Sequence, residues 1–234
     1  MEAGAHTHAE PHGRRPGAPR MIAAVACAAL AGIAIGVGIG VHYLFTEPAR
    51  APVATATATG VKLGGAATWA AGAQAAPPII ALRDQTGRPF SLSSLRGRTV
   101  AMAFFDSYCT QACPLEGRAL AAAEAALPVA QRPVLVVVSV NPLDTPASTR
   151  AAVRRWGLAQ VGSWRWLRGT HAQLARVWSA YRIFVAPPAN GDISHTEALY
   201  LIDHRGYERS AYVYPFYPQF VTTDLRTLTS ARSG

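Results

Sequence analysis

Thr99 to Phe105 and Val134 to Val140 are continuous apolar runs with almost nothing on either face that seeks water. Runs this short and β-branched are strands, and strands apolar on both faces must be covered on both. The segment between them, Leu115 to Leu127, is Ala-rich with apolar residues at helical spacing and is stopped by Pro128. Strands alternating with helices in this way imply a mixed sheet with helices on its faces. The pattern then extends in both directions. Ile79–Leu82 and Phe90–Leu92 read as a hairpin around Asp84-Gln85-Thr86-Gly87, and Ser94–Gly97 as a turn. Helices are expected over 147–156 and 171–181, strands at 164–167, 195–202 and 207–214, and a last helix over 218–230. The expected fold is an α/β mixed sheet flanked by helices.

The first of these runs delivers the chain to Phe104-Phe105-Asp106-Ser107-Tyr108-Cys109-Thr110-Gln111-Ala112-Cys113-Pro114. Cys109 and Cys113 are four positions apart, so one helical turn would set both sulfurs on one face, with Pro114 in the first turn. Thiols at a helix N-terminus are biased toward thiolate, which serves as metal ligand or as redox nucleophile. A pair of cysteines after a strand and before a helix suits a thioredoxin-like layout. The third cysteine, Cys27, lies in a distant apolar run, so the pair reads as a site rather than a structural staple.

That apolar run, Met21 to Phe45, is uncharged over 25 residues and long enough to span a bilayer. Arg14, Arg15 and Arg20 precede it, which places the N-terminus in the cytoplasm and the remainder outside. A cleaved signal peptide ending near Ala49-Arg50-Ala51 is the rival, disfavoured by the length of the run. The expected organisation is a disordered cytoplasmic tail over 1–20, a transmembrane segment over 21–45, a tether over 46–77 and a globular domain over 78–234. Gly32, Gly36 and Gly40 would let two such helices approach, but a monomer is expected. His6, His8 and His12 in the tail are incidental.

The net charge of +9 comes from arginine, since Lys62 is the only lysine. The arginines are scattered rather than gathered in a stripe, which argues against nucleic acid as a partner.

Several segments together resemble the Sco/SenC family of copper-binding, thioredoxin-like proteins, from about Leu82 to Tyr214. They are Asp84–Gly87, the Cys109-x-x-x-Cys113-Pro114 loop and Ser139–Pro146, the last similar to the family's Asp-Pro-x-x-Asp-Thr-Pro. Leu167–Thr170, Ala180–Ile183 and His195-Thr196 before Tyr200-Leu201-Ile202-Asp203 complete the set. Three positions depart from the family pattern. Asn141 stands for an Asp, Thr110 for a proline after the first cysteine, and Ser194 for an Asp before the histidine.

The resemblance implies a membrane-tethered, extracytoplasmic (periplasmic) domain holding copper, as Cu(I) or Cu(II), through Cys109, Cys113 and His195. It implies delivery to the copper-A site of cytochrome c oxidase subunit II, a metallochaperone rather than an enzyme. Two thiolates and one imidazole suit copper, and zinc with a fourth ligand would also fit. The alternative is a thiol–disulfide reductase acting on the oxidase cysteines through the same redox-active pair, although redox dithiols of the thioredoxin type use a two-residue spacer. A peroxidase-like reading would need Thr110 and Arg118 at the nucleophile. His171 and His204 read as surface groups.

Overall fold

The computed structural model describes residues 62–160, 162–186 and 193–230. The proposed tail, the span at 21–45 and the first part of the tether lie outside these residues. Among the described residues, no helix is long and apolar enough to cross a membrane.

Strand β1 is Ala67–Thr68, β2 Val100–Phe105, β3 Val134–Ser139, β4 Trp164–Leu167, β5 Ala198–Ile202 and β6 Glu208–Val213. They form one six-stranded sheet in the order β1-β6-β5-β2-β3-β4. The two apolar runs lie side by side as β2 and β3, parallel, with β4 parallel beyond them. β5 and β6 return antiparallel on the other side of β2.

Helix α1 is Ala112–Ala125, α2 Pro146–Arg155, α3 His171–Ala180 and α4 Pro218–Ser230. Successive β2 residues alternate between two cores, as the period of a strand requires. Ala101, Ala103 and Phe105 pack with Leu120, Val153 and Leu225 from α1, α2 and α4. Val100, Met102 and Phe104 pack on the opposite face with Leu174, Val177 and Trp178 of α3. Thr145 and Thr170 begin α2 and α3 with reciprocal capping boxes, which fixes where both helices start.

Two expectations change. The hairpin at 79–92 shrinks to a single bridge, Arg83 to Pro89, because Ala81 at φ +66° interrupts the extended run before it. Residues Leu92–Leu95 form a 3-10 turn.

Residues 62–77 belong to the domain rather than to a tether. Leu63 is buried, the Gly64 N–H donates to Asp224, β1 pairs with β6, and the Glu208 N–H donates to the Gln74 carbonyl. The Ala, Thr and Gly composition hid this, because backbone pairing along a sheet edge needs few apolar side chains.

Helix α1 carries two carboxylates that a surface helix would not. Glu116 and Glu124 are fully buried, and no protein donor reaches either of them. Burial pushes the Glu124 carboxyl up to about 8, with Arg132 pulling weakly against it. It therefore stays protonated in the fold while the unfolded chain ionises from its ordinary 4.5. Since the unfolded chain releases the proton first, stability falls as pH rises from about 4.5 to about 8, by up to about 1.4 kcal/mol per pH unit. Glu124→Gln should flatten that slope, measured by urea midpoints across the window. An unchanged slope would mean that the carboxyl ionises freely in the fold.

Candidate metal and dithiol site

β2 ends at Phe105, and the chain turns at once: the Cys109 N–H donates to the Asp106 carbonyl, and the Tyr108 N–H to the Asp106 carboxylate. Helix α1 starts only at Ala112, so Cys113 lies in its first turn while Cys109 precedes it in the loop. One helical turn therefore does not carry both sulfurs. They meet because the loop folds back over the helix start, and Pro114 takes its expected first-turn place.

Gln111, the residue before the helix, makes no side-chain cap. The Cys109 sulfur serves instead, receiving the N–H groups of Gln111 and Cys113. A hydrogen bond donated by the Cys113 thiol is the largest influence on Cys109 and lowers it from 9.0 to about 6. The same bond, together with burial, pushes the Cys113 thiol far up, so Cys113 keeps its proton. The pair is thus unequal: a half-buried thiolate at Cys109 and a fully buried thiol at Cys113.

His195 arrives from the far end of the chain. A bridge from Val185 to His195 holds it just ahead of β5, and its Nε2 stands 3.5 Å from the Cys113 sulfur. Nδ1 lies 3.1 Å from the Thr196 carbonyl, which can accept only an N–H. That contact places the proton on Nδ1 and leaves the Nε2 lone pair facing the sulfur. Burial holds the imidazole below its ordinary pKa, which favours the neutral, ligating form.

The three residues named from sequence therefore meet in pairs through Cys113. Among the described residues, no group of three His, Cys, Asp or Glu side chains is already gathered tightly enough to hold a metal ion.

Acidic groups surround the pair. Burial raises the Glu116 pKa well above its ordinary value, helped by the charges of Glu197 and Cys109. Glu197 is raised as well, by burial first and then by Cys109. Glu116 looks like a surface position because α1 is so alanine-rich that its buried face has no sequence contrast. Gly117 beside it lets α1 close on Trp156, where a Cβ would come within 3.1 Å of the indole.

The loop is held from below by side chains that the sequence does not connect. The Ser107 hydroxyl donates to Asp144 at 2.6 Å, the Ser139 hydroxyl donates to the same carboxylate at 2.6 Å, and the Trp166 indole reaches it at 3.3 Å. Arg155 donates to the Ser107 carbonyl at 3.1 Å. Asn141, the departure from the family pattern, donates through Nδ2 to the Asp106 carboxylate at 3.0 Å. An aspartate there would face a second carboxylate instead, so the amide suits this particular chain.

His171 is exposed at the start of α3, whereas His204 is half-buried, contrary to its reading as a surface group. Thr110 and Arg118 are exposed, and neither contributes a hydrogen bond at the sulfurs.

No curated protein sequence matches the chain significantly. Among solved structures, ScoI of Bradyrhizobium japonicum with copper bound is 24% identical over 66% of this chain and 99% of that one, with a TM-score of 0.54. Yeast Sco1 with copper bound is 20% identical over 68% of this chain and 90% of that one, at 0.57. BsSco is described as having a disulfide switch and as a member of the Sco family of cytochrome c oxidase assembly proteins. It is 19% identical over 67% of this chain and 94% of that one, at 0.58. At such identities these likenesses speak to the fold, which is thioredoxin-like. The SCO1/SenC family model matches residues 74–230, from the segment between β1 and β2 to the end of α4, and the chain belongs to that family.

Proposed function

We propose that this protein is a copper chaperone that holds one copper ion through Cys109, Cys113 and His195 and passes it to the copper-A site of cytochrome c oxidase. The observation that carries the reading is the 3.5 Å approach of the His195 Nε2 lone pair to the Cys113 sulfur, with Nδ1 turned to the Thr196 carbonyl. Soft sulfur with imidazole suits copper in either common oxidation state. The charge beside the thiolate favours a cation, since Asp106 acts against negative charge on Cys109. The copper seen in ScoI and yeast Sco1 agrees with this reading. Copper is cargo here: binding needs Cys113 to release its proton and the half-buried Cys109 to join it. The span at 21–45 would anchor the domain on the outer face of the membrane, with oxidase subunit II as the acceptor.

A second reading has its own observation. A thiolate at about 6 beside a thiol that keeps its proton is the asymmetry a disulfide reductase uses, and BsSco has a disulfide switch. Cys109 would attack the target disulfide, and Cys113 would then displace the reduced target.

Copper titration separates the two. Wild type should bind one equivalent, and His195→Ala should weaken binding at least about tenfold and change the Cu(II) absorption, as loss of an imidazole ligand does. Unchanged affinity and spectrum would remove His195 from the site. Metal-free reduction of an oxidase disulfide peptide that survives His195→Ala would favour the reductase.

A further inference from the structure

On the far side of the Asp144 network from the cysteines lie two adjoining cavities of about 260 and 170 Å³, and both are lined by Arg83, Arg168 and Gly169. Their geometry follows from the second bridge made by Arg83, to Arg168. The Arg83 N–H donates to the Arg168 carbonyl at 2.9 Å, and the Arg168 N–H to the Arg83 carbonyl at 2.8 Å. Residues paired this way in an antiparallel ladder project their side chains to the same face, about 5.5 Å apart at Cα. Two like charges are therefore set directly opposite one another, an arrangement that costs stability unless an anion lies between them.

No carboxylate of the domain fills that role. Among the described residues, neither arginine forms an ion pair. Asp84, the neighbour of Arg83, turns its carboxylate to the Thr86 hydroxyl and to the N–H groups of Thr86 and Arg88. Asp144 gives its carboxylate to Ser107, Ser139 and Trp166 and offers Arg168 only its carbonyl, at 3.4 Å. The Arg168 Nε is buried without any acceptor. Arg83 spends one N–H on the Gly87 carbonyl and is otherwise exposed. Two guanidinium groups carry ten N–H donors between them, far more than these contacts use.

The wall facing them is apolar, made by Ala81, Leu82, Pro89 and Phe90. Ala81 is held at φ +66°, a conformation that a residue with a Cβ rarely keeps without a reason. We infer that this cavity binds a small organic carboxylate, its acid group clasped between Arg83 and Arg168 and its apolar body lying against Leu82 and Phe90. Planar carboxylates match the guanidinium fork, and the larger cavity falls just below the size usual for drug-like ligands.

The test is equilibrium dialysis of the full chain in detergent against benzoate, with acetate and inorganic phosphate as comparators. Subtracting the Arg83→Gln and Arg168→Gln variants removes benzoate dissolved in micelles. Wild type should bind benzoate in the millimolar range, ahead of both comparators, and each variant should weaken it about tenfold. Phosphate binding as well as benzoate would show attraction to a basic surface only and overturn the assignment. So would absence of benzoate binding at 50 mM (about the weakest useful affinity), or affinity retained in both variants. Should Arg168→Gln fail to fold, the exposed Arg83→Gln decides alone.

Discussion

Cys113→Ala is expected to abolish copper binding and disarm Cys109 in one step. Cys113 is the member common to both contacts of the site, donating to the Cys109 sulfur and standing 3.5 Å from His195. Without its S–H, Cys109 loses the largest influence that holds it near 6 and returns toward its ordinary 9.0. Burial and Asp106 then act in the same upward direction, against the two N–H groups of Gln111 and Cys113. Alkylation by iodoacetamide across pH, read by peptide mass spectrometry to separate Cys109 from Cys27, follows this directly. The wild-type midpoint should lie near 6, and the variant midpoint should be at least about two pH units higher, which corresponds to about 2.7 kcal/mol. Copper affinity should fall by more than about a hundredfold, beyond what loss of a supporting group costs. A variant whose Cys109 still titrates near 6 would show that the helix start alone stabilises the thiolate.

Asp144→Ala should be the most destabilising single change outside the apolar core. It strands the Ser139 hydroxyl proton and the Ser107 N–H in a buried setting, while the Ser107 hydroxyl keeps Ser148 at 2.7 Å and the Trp166 indole keeps the Ser139 oxygen at 2.8 Å. Each orphaned buried group costs about 1–3 kcal/mol, so a loss of about 3 kcal/mol or more is expected in urea unfolding. Asp144→Asn keeps one acceptor oxygen and should lose less. Copper retention should fall with stability, because Ser107 ties the cysteine loop down only two residues before Cys109. Unfolding within about 0.5 kcal/mol of wild type would mean the loop is held by backbone alone. The carboxyl also has a pH signature. Burial raises it from 3.8 to about 6, only partly offset by Ser107 and Ser139. The unfolded chain releases this proton first, so the wild-type domain weakens as pH rises from about 4 to about 6, and Asp144→Asn should remove that part.

The contrast between these two sites explains what could be read from residues alone. The central strands were legible because burial on both faces leaves a continuous apolar run, and Val134–Ser139 lies where composition puts it. Cys109, Cys113 and His195 were legible through the family pattern, and the fold brings them into paired contact. The Asp144 hub was not. Its partners at 107, 139 and 166 become neighbours only when β2, β3 and β4 align, and no local period marks them. The buried carboxylates of α1 were hidden for a different reason: a helix of alanines packs closely on any side, so Glu116 and Glu124 carry no sign of which way they face. At 62–77, backbone pairing did what apolar side chains do elsewhere, and composition is blind to it.

The unequal burial of the two sulfurs imposes a chronology on whatever the site exchanges. A partner arriving from solution can touch Cys109 but not Cys113, which has no exposed surface. In either proposed role a partner would meet Cys109 before Cys113, so exchange would begin and end at the outer sulfur.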